Sequence, residues 1–212
     1  MNATGLDDVE FVVRTVALTA VDREKEFGDL DAVVGDGDLG YSLARGFEKV
    51  LHDWDAFKRD DVPTFLRQIA TTISGRIGGT SGPLWGTAFL RASAAAKGFE
   101  TIDGTAAVAM LRAASEGIKA RGGASLGDKT LLDALIPATD ELERQIAAGA
   151  TPSDCRAAFA KTARERADAT SVLEARRGRA SYTGERSIGS PDAGAVAVAI
   201  IIERITADWG SR

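Results

Sequence analysis

The chain has 212 residues, 44% hydrophobic and 27% charged, which is enough for one well-filled domain over residues 1–212 and gives no composition break that demands two. Its 26 Lys and Arg against 31 Asp and Glu leave a formal net charge of −5, which excludes a nucleic-acid binder that relies on a generally basic surface. The single cysteine, Cys155, excludes an intrachain disulfide and, with the polar opening MNATGLDDVE, points to a cytoplasmic protein.

In chain order, Val9, Val12, Val13 and Val16 form the i, i+3, i+4, i+7 stripe of an amphipathic helix from about Leu6 to Glu26. Leu43, Phe47, Val50, Leu51 and Trp54 predict a second, beginning near Tyr41. A third runs from Pro63, suited to a first helical turn, through Phe65 and Ile69 to Gly75. The Ala-rich stretch after Pro83, stopped by Gly98, is the fourth. A fifth spans Thr105 to about Arg121, and a sixth runs from Lys129 through Leu132, Leu135, Ile136 and Leu142. Thr151-Pro152, an N-cap followed by a first-turn proline, opens a seventh to about Arg176. The last runs from Ala193 to Trp209. Its β-branched run Val196–Ile201 has strand propensity, but its length and the Ile201/Ile205 spacing predict a buried helix, and the apolar stretch is too short to span a bilayer. The prediction is an all-α fold of eight helices, packed antiparallel in an up-down bundle or barrel because the connections are short.

Glycine, 23 residues of 212, gathers in four polar clusters between these helices. They are Asp31–Gly40, Gly78–Gly86, Gly122–Thr130 and Arg177–Gly194. They follow the first, third, fifth and seventh helices, and in an up-down bundle alternate loops share an end. All four are therefore expected at one rim.

In the first cluster Asp31, Asp36 and Asp38 fall within eight residues, with glycines that let the loop fold them together; such hard oxygen ligands suit magnesium or calcium. A solvated acidic turn explains the same residues, since Asp-Gly is a favoured turn dipeptide. An EF-hand fits poorly, because Gly40 takes a ligand position and Phe47 stands where the bidentate glutamate belongs. In the second cluster, Thr80 and Ser81 and glycine-rich backbone at a helix start suit an anion, or equally a capped helix connection. The third nearly spells a Walker A loop, but Asp128 is inserted before Lys129-Thr130 and a helix precedes it, which rejects a P-loop; Asp128 capping an interhelical loop is the plain alternative. In the fourth, Arg179 and Arg186 are suited to phosphates, or to a solvated surface. The lone His52 lies away from every cluster.

Taken together, LDAVVGDGDLG, GGTSGPLWGTAFLRA, GDKTLLDALIPA and GRASYTGERSIGSPDAGA, in that order, resemble one family over nearly the whole chain: the L subunit of bacterial dihydroxyacetone kinase and the matching C-terminal domain of single-chain dihydroxyacetone kinases. The resemblance implies an eight-helix antiparallel barrel with ADP or ATP at one rim. It implies that Asp31, Asp36 and Asp38 hold two magnesium ions, with Leu39, Gly40, Tyr41 and Ser42 beside the nucleotide. Thr80 and Ser81 match phosphate contacts, Gly122 and Leu131 positions near the adenine, and Arg179 a nucleotide-contacting, catalytic arginine. Ser190–Gly194, with Asp192, Ala193 and Gly194, resembles a lid hinged at Gly189 and Gly194. One position departs from the pattern: Leu39 stands where family members often carry histidine.

The resemblance also implies partners. A separate K subunit holds the hydroxyketone on a histidine, so this chain is expected to be inactive alone, and a phosphohistidine-carrying M subunit recharges bound ADP in phosphotransferase-system versions. That donor is preferred to freely exchanging ATP because this domain is not fused to a K domain. The alternatives are an ATP-dependent kinase subunit for another triose or tetrulose and an ADP-loaded regulatory partner of a transcription factor. A homodimer is allowed; nucleic acid and membrane are not expected.

Overall fold

A computed structural model describes residues 5–79 and 81–211. Among them the regular structure is helical throughout: α1 (Leu6–Asp22), α2 (Glu24–Asp31), α3 (Leu39–His52), α4 (Val62–Arg76), α5 (Ser81–Ala96), α6 (Gly104–Gly122), α7 (Leu132–Ala147), α8 (Pro152–Ala169) and α9 (Ala193–Asp208), with four 3-10 segments. The all-α expectation is met, and the run at Val196–Ile201 is helix. Among the described residues no helix is long and apolar enough to cross a membrane.

Three boundaries differ from those the sequence predicts. The first helix is two. Between buried Ala20 and Phe27 no side chain is buried, so nothing anchors a continuous stripe, and Arg23 leaves helical geometry (φ −105°, ψ 16°). The sixth begins at Leu132, because Lys129 sits at φ 61°, outside any helix. The seventh ends at Ala169, well short of Arg176: Thr170 Oγ1 donates to Ala167 O, residues 170–172 tighten to a 3-10 turn, and Leu173 is extended (φ −89°, ψ 148°).

From α2 onward each helix packs on the next, α1 packs on α3, and α9 returns to α1, so the helices close a ring. The largest fully buried apolar side chains include Phe27, Phe47, Phe65, Leu43, Ile69 and Ile73, from α2, α3 and α4. On the other side Ala160, Ala163 and Ala167 of α8 meet Ala195, Val198, Ala199 and Ile202 of α9. Small side chains let these two backbones approach, and α9 is apolar on most of its circumference because it is covered by α1, α7 and α8. Among the glycines of the second cluster, Gly82 lies inside α5, where a Cβ would run into the Ile77 carbonyl oxygen. That part of the cluster serves helix packing.

Candidate functional site

Alternation of the helices sorts their ends. At one end α4, α6 and α8 begin, each capped by a side chain: Asp61 accepts from Thr64 N–H, Asp103 from Ala106 N–H and Thr151 from Asp154 N–H. At the other end α3, α5, α7 and α9 begin. Here α3 and α7 carry no side-chain cap, and Asp192 caps α9 by accepting from Ala195 N–H at 2.8 Å. Four helix N-termini thus bring their partial positive charge to one end, an arrangement that favours an anion.

The four glycine clusters meet at this end. Leu30, Trp85 and Leu131, beside the first, second and third clusters, pack on one apolar cluster. Gly122 approaches Leu84 closely, and Gly194 faces Leu131. Asp128 of the third cluster pairs with Arg177 of the fourth at 3.0 Å. Arg179 pairs with Asp36 and lies 3.6 Å from Asp38, joining the fourth to the first.

The carboxylates are gathered by the chain's path. Asp31 ends α2, Gly35 N–H returns to the Asp31 carbonyl, Gly37 reverses the backbone at φ 75°, and Asp38 stands just before α3. At Gly40 a Cβ would run into the Glu24 carbonyl oxygen, so only glycine lets α3 start this close to α2. Oxygens of Asp31, Asp36 and Asp38 consequently lie within 4.8 Å of one another. Among the described residues Arg179 is the only cation ion-paired with this group, 143 residues on from Asp36 and 141 from Asp38, and the pairs are half-exposed, so they contribute placement more than stability.

Leu39 opens α3, and its side chain packs against the main core, away from polar work. Tyr41 is exposed with Arg45 over its ring at 5.3 Å, and Ser42 sits in the first turn of the same helix. Ser81 opens α5, whereas Thr80 lies outside the described residues. Gly194, expected as a hinge, lies at a helix start. Asp192 caps α9, Ala193 and Gly194 form its first turn, and Asp192 N–H is tied to Thr170 Oγ1 at 2.7 Å. Arg186 is exposed and turned to its own loop at Thr183 O, and His52 is exposed at the far end of α3, about 20 Å along the helix from Leu39.

Residues of the third cluster do more than the sequence assigned to them. Asp128 accepts from Ser125 N–H and from Arg177, and these hold its carboxyl below the usual range, the Ser125 bond most strongly. Asp133, in the first turn of α7, accepts from Gly127 and Thr130 N–H groups. Lys129 is buried. The available signal was Lys129 itself, a lone cation in a loop of Gly, Ala, Ser and Leu. Burial raises the Asp192 carboxyl to about 7, Asp133 and Asp31 add to the rise, and the Ala195 amide and Lys129 oppose it.

The DAK2 domain model matches residues 33–207. Along 195 residues the chain is 33% identical to the ADP-binding subunit DhaL of the PEP-dependent dihydroxyacetone kinase of Escherichia coli, covering 92% of this chain and 89% of that one. The chain belongs to the dihydroxyacetone kinase L-subunit family. It is therefore a kinase subunit, of the phosphotransferase class. Another member, an ADP-binding subunit DhaL from Listeria innocua, is 36% identical with 85% of both chains covered. L-subunit likeness extends to longer proteins: the L-erythrulose 1-kinase of Mycolicibacterium smegmatis is 37% identical over 92% of this chain. The crystal structure of the dihydroxyacetone kinase of C. freundii, also solved with AMP-PNP and Mg2+, superposes with a TM-score of 0.76 at 25% identity over 94% of this chain. This chain spans about a third of those two longer proteins.

Proposed function

We propose that this chain carries an adenine nucleotide with magnesium at the rim and passes its terminal phosphoryl group to dihydroxyacetone, or a related ketose, held on a separate K subunit. The observation that carries this reading is the meeting of three carboxylates within 4.8 Å with four helix N-termini at one end of the ring. Carboxylates call for cations and helix N-termini for anions, and a metal–polyphosphate satisfies both.

The residues fit the metal. Three carboxylates with oxygens within 4.8 Å of one another would supply hard oxygen ligands to magnesium, and the family resemblance implies two ions held by Asp31, Asp36 and Asp38. Magnesium there would offset charge on the phosphate oxygens. Leu39 N–H donates to Asp31 Oδ2 and Ser42 N–H to Asp38 O, so the start of α3 offers the phosphates the Gly40 and Tyr41 amides and the Ser42 hydroxyl, and α5 offers the Ser81 hydroxyl. Gly122 beside Leu84 and Leu131 beside Gly194 line the side suited to the adenine, and Asp192, Ala193 and Gly194 close it as the first turn of α9. Arg179 adds a planar donor fork that stabilises charge developing on the transferred group. His52, exposed and far from this rim, is unsuited to hold a ketose, so the acceptor belongs on the partner.

The donor reading follows the ADP-binding subunits DhaL of E. coli and Listeria innocua, which are subunits of PEP-dependent kinases; likeness to them supports ADP held as a resident group and recharged by an M subunit. A second reading, an ATP-driven ketotetrose kinase subunit, is supported by the 37% identity to the L-erythrulose 1-kinase. Freshly purified chain is analysed for nucleotide and chased with labelled ADP, then assayed with a K subunit and dihydroxyacetone. Co-purified ADP that exchanges slowly, and phosphoryl transfer only when both subunits are present, are expected. An empty site with turnover on free ATP supports the second reading, and ketose phosphorylation by this chain alone contradicts both.

A further inference from the structure

The segment from Leu173 to Ser190, which delivers Arg179, has no hydrophobic anchor beyond the small Ala175 at its neck. From Arg176 to Arg186 no residue is buried; only Ala175 and Ser187, at its neck, are. Arg179 nevertheless lies on Asp36 and near Asp38. Something other than apolar packing must fix the loop.

We propose that Lys129 is a positioning residue that clamps the neck of this loop and thereby sets Arg179 against the carboxylate cluster. Its Nζ donates to Leu173 O at 3.1 Å, Ser187 O at 2.5 Å and Ser190 O at 2.7 Å. An ammonium has three donors and no acceptor, so all of its hydrogen-bonding capacity is spent on the two strands of one neck. The side chain is 2% exposed, and water does not compete. Lys129 is also the one non-glycine with positive φ among the described residues, at 61°. A side chain is disfavoured there, and the conformation persists when surrounding contacts fix it. The preceding residue adds to the clamp: Asp128 O accepts from Arg176 N–H, and its carboxylate from Arg177. Two further bonds close the neck across itself, Ala175 N–H to Ser187 Oγ and Gly189 N–H to Ser171 O, both 2.8 Å.

This inference rests on the reading of Arg179 given above, and the test separates the two. Lys129→Met keeps the length of the side chain and removes all three donors. Trypsin has sites at Arg176, Arg177, Arg179 and Arg186, and cleavage there is expected to rise about tenfold or more. Phosphoryl transfer with the K subunit is expected to fall about 100-fold, as for a reacting group displaced by an ångström. Combined with Arg179→Gln, Lys129→Met is expected to add almost nothing further, because it acts through that arginine. Multiplied losses in the double variant overturn the positioning role, and unchanged tryptic cleavage overturns the clamp while leaving the Arg179 reading intact. Normal transfer by Arg179→Gln removes that reading and the positioning role with it, and the clamp is then judged by trypsin alone. Should Lys129→Met not fold, hydrogen exchange on the unaltered chain decides: the Ala175 and Gly189 amides are expected to be protected well above those of 180–183. Equal exchange at both places contradicts a closed neck.

Discussion

At the scale of single residues, the site combines side chains whose roles differ in how far they depend on distant chain. Asp31, Asp36 and Asp38 are gathered by local turns, so Asp-Gly-Asp in a glycine loop is enough to pick them out. Lys129 depends on carbonyls 44, 58 and 61 residues away, and no local pattern encodes them. Leu39 stands where family members often carry histidine, and its side chain packs, partly buried, against the core. Asp192 has a testable titration. Burial raises its carboxyl to about 7, whereas an unfolded chain's aspartate titrates near about 3.9. Between these values the folded chain keeps a proton that the unfolded chain has released, so the stability this group contributes is full at low pH and is lost as pH rises through about 7. Asp192→Asn preserves an acceptor for the Ala195 amide without the charge. Thermal melts of ligand-free protein should place the variant higher relative to the parent at pH 8 than at pH 5. The same offset at both pH values contradicts a raised carboxyl.

At the scale of elements, apolar periodicity together with Pro, Gly and capping signals located eight helical segments, the first of which the structure divides into α1 and α2. Periodicity could not locate ends set by other forces. The break at Arg23 comes from a polar run that leaves the stripe without an anchor. The early end of α8 comes from Thr170, whose hydroxyl donates to Ala167 O and accepts from Asp192 N–H across 22 residues. The late start of α7 follows from the loop geometry at Lys129. Caps at the two ends serve different purposes, and this can be measured. Asp61→Ala and Thr151→Ala should each lower stability by about 1 kcal/mol while leaving affinity for magnesium-ADP unchanged, since α4 and α8 begin at the end away from the carboxylates. Denaturant unfolding and calorimetry on the same samples read both. Weakened nucleotide binding in these variants contradicts the assignment of ends.

At the scale of the whole molecule, the placement of the site follows from parity. Each odd-numbered connection among the predicted helices falls at the same end, and glycine and charge are concentrated in those four connections. The structure brings them together through Leu30, Trp85 and Leu131, the approach of Gly122 to Leu84, and the pairs Asp128–Arg177 and Arg179–Asp36. What parity could not supply was the division of labour among the clusters: Gly82 serves the contact of α5 with Ile77, and Asp192–Gly194 form the start of α9. The central claim is that the carboxylate cluster holds nucleotide through magnesium. Calorimetric titration of magnesium-ADP into Asp36→Asn and Asp38→Asn, each first shown to retain its helical content, tests it most directly. A neutral amide does not replace a carboxylate facing a divalent ion, so both variants should lose most of their magnesium-dependent affinity; unchanged affinity in both would contradict the account and move the site elsewhere.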